Sequence, residues 1–388
     1  MEAVHSISGH WTDTASAAAL RDMRGKLVGP PTLGLIFIAP KLFPKAKEIL
    51  ELVQIEAQVP TLIGCSGASL IATDKEIERQ AGMALGLYSF PGAKMDVVHL
   101  TQAQIEEATG PSYWHMETGI EQTNGWLAFV DPFTFNCDAW LTMWNEAYAG
   151  RPTLGGLASG DFNDQSTQLY WNNQVLEGGA LAMSISGEIE LAGVISQGCT
   201  PIGETWTITR ADGHYIHEIG NRPAYEVLME TLNALPQTEK QNLRGNLFIG
   251  LVVNEYLDEF HRGDFLIRNL IGVDPSTGTL AVGATPRVGQ TVQFQRRDAK
   301  AGTEDIEALL QRATKQLQTR PVYGACLCSC NGRGQRMFGK PDHDASHVQR
   351  AFGPLGVAGF FCNGELGPVG EKNFVHGYTA SLALFVKK

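Results

Sequence analysis

The chain has 388 residues, enough for two domains of ordinary size that each bury a core without help from disulfides or metal. Apolar residues make up 43% and charged residues 18%, and 43 glycines indicate many tight turns, a composition that excludes a coiled or disordered chain. The formal charge of -11 disfavours electrostatic binding of nucleic acid or anionic lipid over a broad surface, because such binding depends on clustered Lys and Arg. We therefore expect neither nucleic acid nor a membrane as a partner.

Residues 1–26 lack a basic start followed by an apolar segment, and no run of about 18 apolar residues occurs later. This predicts a cytoplasmic protein. The seven cysteines are an odd number without the spacing of a small disulfide scaffold, so we expect reduced thiols.

Two stretches of the first half show the same order of elements. An apolar run at 33–39 predicts a strand, apolar residues at helical spacing follow up to Ala57, and a second strand begins near Pro60. The order recurs from 125 to 161. Matching residues keep a separation of 92 positions: Phe37 and Phe129, Pro60 and Pro152, Gly64 and Gly156. A third copy, with slipped register, is visible at 324–365, so the sequence predicts an internal repeat.

Residues 205–299 follow a different pattern and are interpreted as strand-rich connecting structure. Asp212 and Gly213 stand between two β-prone runs, which predicts a hairpin. Helices are predicted from Pro223 and over 303–318, the latter leading into the last copy.

These elements predict an α/β (α+β) fold in which repeated strand-helix-strand units form two related halves with mixed sheets, arranged in αββα-type layers. We place an N-terminal segment at 1–25, a first domain at 26–204 and a second domain at 205–388.

Each copy carries a loop of small residues where its second strand ends. In such loops glycine allows close backbone approach and a neighbouring polar side chain offers hydrogen bonds, which suits a small polar ligand. Structural turns copied by duplication are the alternative. The candidate ligand-binding residues are Cys65, Ser66, Ser159, Gly160, Asp161, Cys330, Asn331, Arg333, Cys362, Asn363 and Glu365.

Arg333 could pair with a ligand carboxylate or stabilise its own turn. If it binds the ligand, Asp161 or Glu365 could hold an ammonium group, and the ligand would be an amino acid. The loop around Arg333 is too short for the phosphate-binding loop of a nucleotide site.

Two alternatives concern cysteine. Cys326, Cys328 and Cys330 alternate along an apolar strand, which fits buried thiols better than the paired spacing of structural zinc, so we predict no metal and no cofactor. A cysteine-dependent hydrolase or transferase could use Cys65 or Cys362. Its base would be a histidine: His343, His347 or His376.

The C-terminal segments resemble a known family. Residues 265–283 (FLIRNLIGVDPSTGTLAVG), 329–339 (SCNGRGQRMFG) and 358–370 (AGFFCNGELGPVG) are similar to the FIST C-terminal domain, and GCSGASLI and GLASGD to the FIST N-terminal domain. The resemblance identifies 26–204 and 205–388 as these two domains. It implies a cytoplasmic sensory module for a small ligand, with amino acids proposed, that signals through a separate protein partner. It supplies no catalytic residues, and a protein-interaction scaffold is a further alternative.

Overall fold

The computed structural model describes residues 3–8, 13–160, 165–241, 243 and 245–388, with side chains described for all of these except 3–8, 13–15 and 241. The chain divides into two compact units. Unit 1 comprises Met1–Ile195 and Ala308–Lys388, and unit 2 is Ser196–Glu307. The domain limits expected at residues 25 and 204 stay predictions, because compact contact units and sequence domains need not coincide.

The elements are numbered in chain order. The strands are β1 (Ala3–Ser8), β2 (Leu33–Ile38), β3 (Leu62–Ser66), β4 (Ser69–Ala72), β5 (Lys75–Glu78), β6 (Gly82–Tyr88), β7 (Ala93–Leu100), β8 (Gly125–Val130), β9 (Thr153–Leu157), β10 (Leu169–Trp171), β11 (Gln174–Leu176), β12 (Ala180–Gly187), β13 (Ile189–Ser196), β14 (Cys199–Asp212), β15 (Tyr215–Ile219), β16 (Arg222–Pro223), β17 (Leu247–Val252), β18 (Phe265–Asp274), β19 (Thr279–Val282), β20 (Thr291–Arg297), β21 (Val322–Cys330), β22 (Val357–Cys362), β23 (Glu365–Val369), β24 (Lys372–His376) and β25 (Ala380–Lys387). The helices are α1 (Asp13–Lys26), α2 (Ala46–Ala57), α3 (Gln102–Glu107), α4 (Pro111–Thr118), α5 (Cys137–Ala147), α6 (Ala224–Ala234), α7 (Gln237–Gln241), α8 (Ala299–Leu317), α9 (Gln335–Phe338) and α10 (His343–Phe352), with a 3-10 helix at Pro40–Lys45.

The described part of unit 1 contains three six-stranded sheets. Their strand orders are β1-β6-β2-β3-β10-β11, β24-β23-β9-β8-β12-β7 and β13-β25-β21-β22-β4-β5. Each sheet has one parallel pair near its centre: β2–β3, β8–β9 or β21–β22. Parallel neighbours need a crossover connection, and a helix lies between the two strands of each pair in the chain.

The first parallel pair shows why these residues form this structure. All six residues of β2 are buried, as expected for a central strand covered on both faces. Helix α2 follows and turns one apolar face inward, where Ile49, Leu50 and Val53 are buried. The helix ends at Gln58, whose left-handed conformation (φ 51°) caps it before β3 begins.

Hairpins join the sheets to one another. The hairpin β4–β5 follows β3 in the chain but pairs with β22 in another sheet. Likewise β10–β11 follows β9 and pairs with β3, and β23–β24 follows β22 and pairs with β9. Each sheet therefore receives a hairpin from one of the other two, and the three sheets close into a ring.

The sheets share one core. Phe37 on β2, Phe129 on β8 and Phe360 on β22 are each fully buried. The ring of Phe37 stacks on Phe360 with centroids 4.9 Å apart and meets Phe129 edge-on at 5.4 Å. One aromatic side chain from each parallel pair thus meets at the centre of unit 1.

Unit 2 is built mainly from strands. The order β14-β20-β17-β18-β19-β15-β16 closes into a small barrel through an additional β14–β15 pairing. Asp212 pairs with Tyr215, so the predicted hairpin is confirmed. Helix α6 packs its buried Val227 and Leu228 into the same apolar core as barrel residues. The block interpreted as connecting structure is therefore a compact body with its own core.

The predicted mixed-sheet α/β (α+β) class is confirmed: the chain forms both helices and strands, and each sheet of unit 1 has parallel and antiparallel neighbours. Helix α8 begins at Ala299, before the residue 303 expected from the sequence. Within the described residues, no helix combines the length and apolar character required to span a bilayer.

Candidate functional site

A cavity of about 870 Å³ lies in unit 1. Its lining residues follow the carboxyl ends of the parallel strands or belong to the hairpins beside them. They are Ala39, Pro40, Lys41, Ala68, Ser69, Glu78, Arg79, Gln80, Pro132, Phe133, Gly160, Gln165, Ser166, Asn331, Arg333, Arg336, Phe361 and Asn363. Ligands of α/β proteins commonly bind outside the carboxyl ends of parallel strands, so this cavity has the expected position of a ligand site.

Four of the predicted site residues line the cavity together: Gly160, Asn331, Arg333 and Asn363. The two asparagines are joined, because Asn331 Nδ2 donates to Asn363 Oδ1 at 3.0 Å. Asn363 Nδ2 in turn donates to the carbonyl oxygen of Ala158 at 3.1 Å. The loops that follow β9, β21 and β22 are therefore connected at the cavity wall.

Ser159 lies behind the wall and links the loops. Its Oγ accepts a hydrogen bond from the Ala68 N–H at 2.8 Å and donates to the carbonyl oxygen of Phe361. The side chain is buried. Ser159 therefore fixes the loops that form the cavity and does not line the cavity itself.

The predicted cysteine and serine residues lie away from the cavity lining. Cys65, Cys362 and Ser66 are fully buried, and Ser66 Oγ accepts the Gln168 N–H at 3.0 Å. Burial raises the pKa of the Cys65 and Cys362 thiols well above the usual range. Cys330 is half-buried and accepts the Gly332 N–H at 3.4 Å. A thiol held neutral by burial is a poor nucleophile at neutral pH.

Glu365 is also fully buried, at the start of β23. Its carboxyl accepts the Thr379 N–H at 2.9 Å and the Cys362 thiol at 3.1 Å. Burial raises the pKa of Glu365 to about 8, so the group is mostly neutral at pH 7. A neutral buried carboxyl of this kind packs the core and is not available as the partner of a ligand ammonium.

This raised pKa gives a prediction. A carboxyl with a higher pKa folded than unfolded stabilises the protein fully below the unfolded pKa of 4.5 and loses that contribution as pH rises toward about 8. Replacing Glu365 by Gln removes the titrating group and keeps its shape. Between roughly pH 5 and pH 8 the free energy of unfolding of the native protein should fall by about 3–4 kcal/mol more than that of the variant.

Urea unfolding followed by tryptophan fluorescence measures this difference, since six of the seven tryptophans belong to residues 1–195. Glu188→Gln, which removes an exposed carboxyl, is the matched control and should keep the native pH dependence. If the free energy of unfolding changes with pH equally in the native protein and in the Glu365→Gln variant, folding does not raise the pKa of Glu365, and the prediction is wrong.

Arg333 is buried, and its exposed fraction is 1%. Its Nε donates to Asp344 Oδ2 at 2.7 Å and its Nη2 to Asp344 Oδ1 at 2.8 Å. Ser329 Oγ donates to the same carboxylate at 2.8 Å, and His343 Nδ1 lies 2.8 Å from it. This bidentate pair, with its neighbours, anchors the loop after β21 to helix α10.

Asp161, expected to hold a ligand ammonium, lies outside the described residues. The three histidines considered as bases occupy buried positions. His343 contacts Asp344, His347 Nδ1 lies 2.6 Å from the His343 carbonyl oxygen, and His376 Nε2 lies 3.0 Å from the Gly367 carbonyl oxygen.

The cavity also has residues that sequence reasoning missed. Its missed charged and aromatic residues include Lys41, Glu78, Arg79, Phe133 and Arg336. Lys41 lies shortly after the end of β2, and Phe133 lies shortly after the end of β8. A search of the loops that follow the first strand of each parallel pair would have found both residues. Arg79 and Glu78 had no such signal, because the antiparallel pairing of β5 with β4 sets Glu78 opposite the cavity residue Ser69.

The chain matches known family models and is similar to proteins of two mycobacteria. A model of the FIST N domain matches residues 32–222, and a model of the FIST C domain matches residues 224–368. An uncharacterized protein of Mycobacterium tuberculosis is 36% identical over 96% of both chains. An uncharacterized protein of Mycobacterium bovis is 35% identical over 96% of this chain and 95% of its own.

Among solved structures, a chorismatase crystal structure aligns with a TM-score of 0.33 and 7% identity over 100% of this chain and 98% of that chain. A likeness of this size supports no argument about fold or activity. The family matches do, since together they span most of the chain. The chain belongs to the FIST family, whose domains are sensory, signal-transducing modules for small ligands.

Proposed function

We propose that this protein is a sensor that binds a small polar metabolite in the unit 1 cavity. One observation carries the proposal: loops from all of the parallel pairs β2–β3, β8–β9 and β21–β22 line the same cavity. A volume of about 870 Å³ falls within the range of small-molecule sites. Occupying such a cavity would bridge three sheets at once, which gives ligand binding a route to alter their packing.

The finer features of the proposal rest on the sequence and on the family resemblance. An amino acid as the ligand, a cytoplasmic location and a separate signalling partner stay predictions. Arg333 is paired with Asp344, and Glu365 is buried. A direct contact with the ligand therefore has less support for these two residues than for the exposed residues of the cavity.

A cavity-filling variant tests the proposal. Ala68 lines the cavity and is half-buried, so replacing it by Phe should occupy ligand space. Thermal unfolding is measured against amino acids, carboxylates, nucleotides and divalent metals. A ligand at 100 times its Kd stabilises by roughly 2.7 kcal/mol, and the midpoint should rise by several degrees in the native protein only.

The matched control places the same substitution on an exposed helix position. Ala103 lies on α3 and is exposed, so Ala103→Phe should leave the ligand response unchanged. A compound that stabilises the native protein and the Ala68→Phe variant equally would place its binding site elsewhere. The absence of any response across the panel would contradict the proposed sensor function.

A further inference from the structure

The wall of the cavity is strongly cationic although the chain is acidic. Lys41, Arg79, Arg333 and Arg336 line it, against a single described acidic residue, Glu78. The whole chain carries a formal charge of -11. Positive charges gathered in a concave wall repel one another and attract anions, so this local excess favours a negatively charged ligand.

The cations differ in availability. Arg333 is buried and paired with Asp344. Within the described residues, Lys41, Arg79 and Arg336 are exposed and form no ion pair. Their charges are therefore not neutralised by neighbours in the described part of the chain.

Hydrogen bonds fix the backbone at or beside two of these cations. Glu78 Oε1 accepts the Gln335 N–H at 2.7 Å, at the start of the short helix that carries Arg336. The Arg79 N–H donates to Ser69 Oγ at 3.0 Å, and Arg79 has φ 54°. A left-handed conformation is uncommon for arginine, and such outliers are frequent at functional sites.

Apolar groups share the wall with the cations. Phe133 keeps 49% of its surface exposed although it is a large aromatic residue, and it lines the same cavity as Phe361 and Pro132. A simple inorganic anion would leave these surfaces in water. A carbon framework would cover them and contribute free energy in proportion to the apolar area removed from water.

From this combination we infer that the ligand is an organic anion with at least two negative charges on a carbon framework. Its anionic groups pair with Lys41, Arg79 and Arg336, and its framework lies against Phe133. This inference rests on the proposed function, because it names the ligand class of the same cavity. It differs from the zwitterionic amino acid expected from sequence, which would bring a cation into a cationic wall.

Titration calorimetry of the full chain tests this ligand class. The probes are succinate and isophthalate, each matched with its neutral diamide, together with inorganic phosphate. At least one dicarboxylate should bind at least about tenfold more tightly than its diamide, and its affinity should fall as salt is added. A diamide bound as tightly as its dicarboxylate would overturn the inference, as would phosphate bound more tightly than both dicarboxylates.

Charge-removing variants locate the binding. Arg336→Gln and Lys41→Gln should each weaken dicarboxylate binding by roughly tenfold, the usual effect of losing one hydrogen bond to a charged group. The matched controls are Arg350→Gln on α10 and Lys47→Gln on α2, both at exposed positions outside the cavity lining. Unchanged affinity in both cavity variants would overturn the inference.

Failure of the ligand class can be told apart from failure of the proposed function. A neutral or zwitterionic compound that stabilises the native protein but not the Ala68→Phe variant, with no dicarboxylate bound, would overturn the anion inference and leave the sensor function standing. No binding of any panel compound would contradict both.

Discussion

Replacing Arg333 by Ala should lower the free energy of unfolding by about 3–5 kcal/mol, the effect of removing one partner of a buried ion pair. Asp344 is buried and accepts from Arg333 at 2.7 and 2.8 Å. The nearby guanidinium lowers the pKa of Asp344, against the opposing effect of burial. Without Arg333, this carboxylate would remain buried with its main counter-charge gone.

Urea unfolding of the single and double variants separates the loss of the pair from the loss of side-chain volume. Removing Asp344 as well, in Arg333→Ala/Asp344→Ala, should restore part of the lost stability, because no uncompensated charge is then left. The sequence left two roles open for Arg333, a partner of a ligand carboxylate and a stabiliser of its own turn, and the first role would have Arg333→Ala weaken ligand binding and leave folding intact. Native stability together with lost ligand affinity would support that earlier expectation and contradict the structural role.

Phe360→Ala should destabilise unit 1 by about 3–5 kcal/mol, the usual cost of truncating a buried aromatic side chain. The side chain is fully buried, stacks on Phe37 at 4.9 Å and lies 6.0 Å from Phe129. A cavity at this point would loosen the contact between the three sheets. Urea unfolding measures the change.

The matched control for this variant is Phe133→Ala, at the half-exposed cavity residue. Its effect on stability should stay within about 0.5 kcal/mol, as for most surface substitutions, while dicarboxylate binding should weaken. A destabilisation of Phe360→Ala no larger than that of Phe133→Ala would show that the three-sheet core is not the main source of unit 1 stability.

The central strands could be predicted because their sequence signal is local. Residues 33–38 and 125–130 are continuous apolar runs, as required of strands buried on both faces. The pairing of the hairpins could not be predicted. The β4–β5 hairpin pairs with β22, so that Ala72 lies opposite Ala358, 286 positions later in the chain, and no residue pattern identifies that partner.

The constant separation of 92 positions holds for the first strands but shifts at the second. Ile36 lies opposite Gly64, whereas Ala128 lies opposite Gly155 and not Gly156. A Cβ on either glycine would overlap the carbonyl oxygen of the residue opposite it. The connection from β8 to β9 is therefore one residue shorter, between paired positions, than the connection from β2 to β3. The constant spacing of Pro60 and Pro152 did not show this difference.

Part of the candidate site could be predicted because the signal for its loops is also local in the sequence. Asn331 and Asn363 stand in glycine-containing loops at strand ends, and the structure brings them within 3.0 Å of each other. Burial was the missing information for the charged residues. Arg333 and Glu365 look like exposed loop residues in the sequence but are buried, whereas Arg79 and Arg336 are exposed at the cavity.

Hydrogen exchange with and without the most stabilising panel compound tests the central claim most directly, namely that loops from the parallel pairs form one ligand site. The claim predicts added protection at once in residues 39–42, 66–69, 131–134 and 331–336, which follow strands of all three parallel pairs, with residues 205–299 unchanged. Protection confined to one of these segments, or found only in residues 205–299, would contradict it.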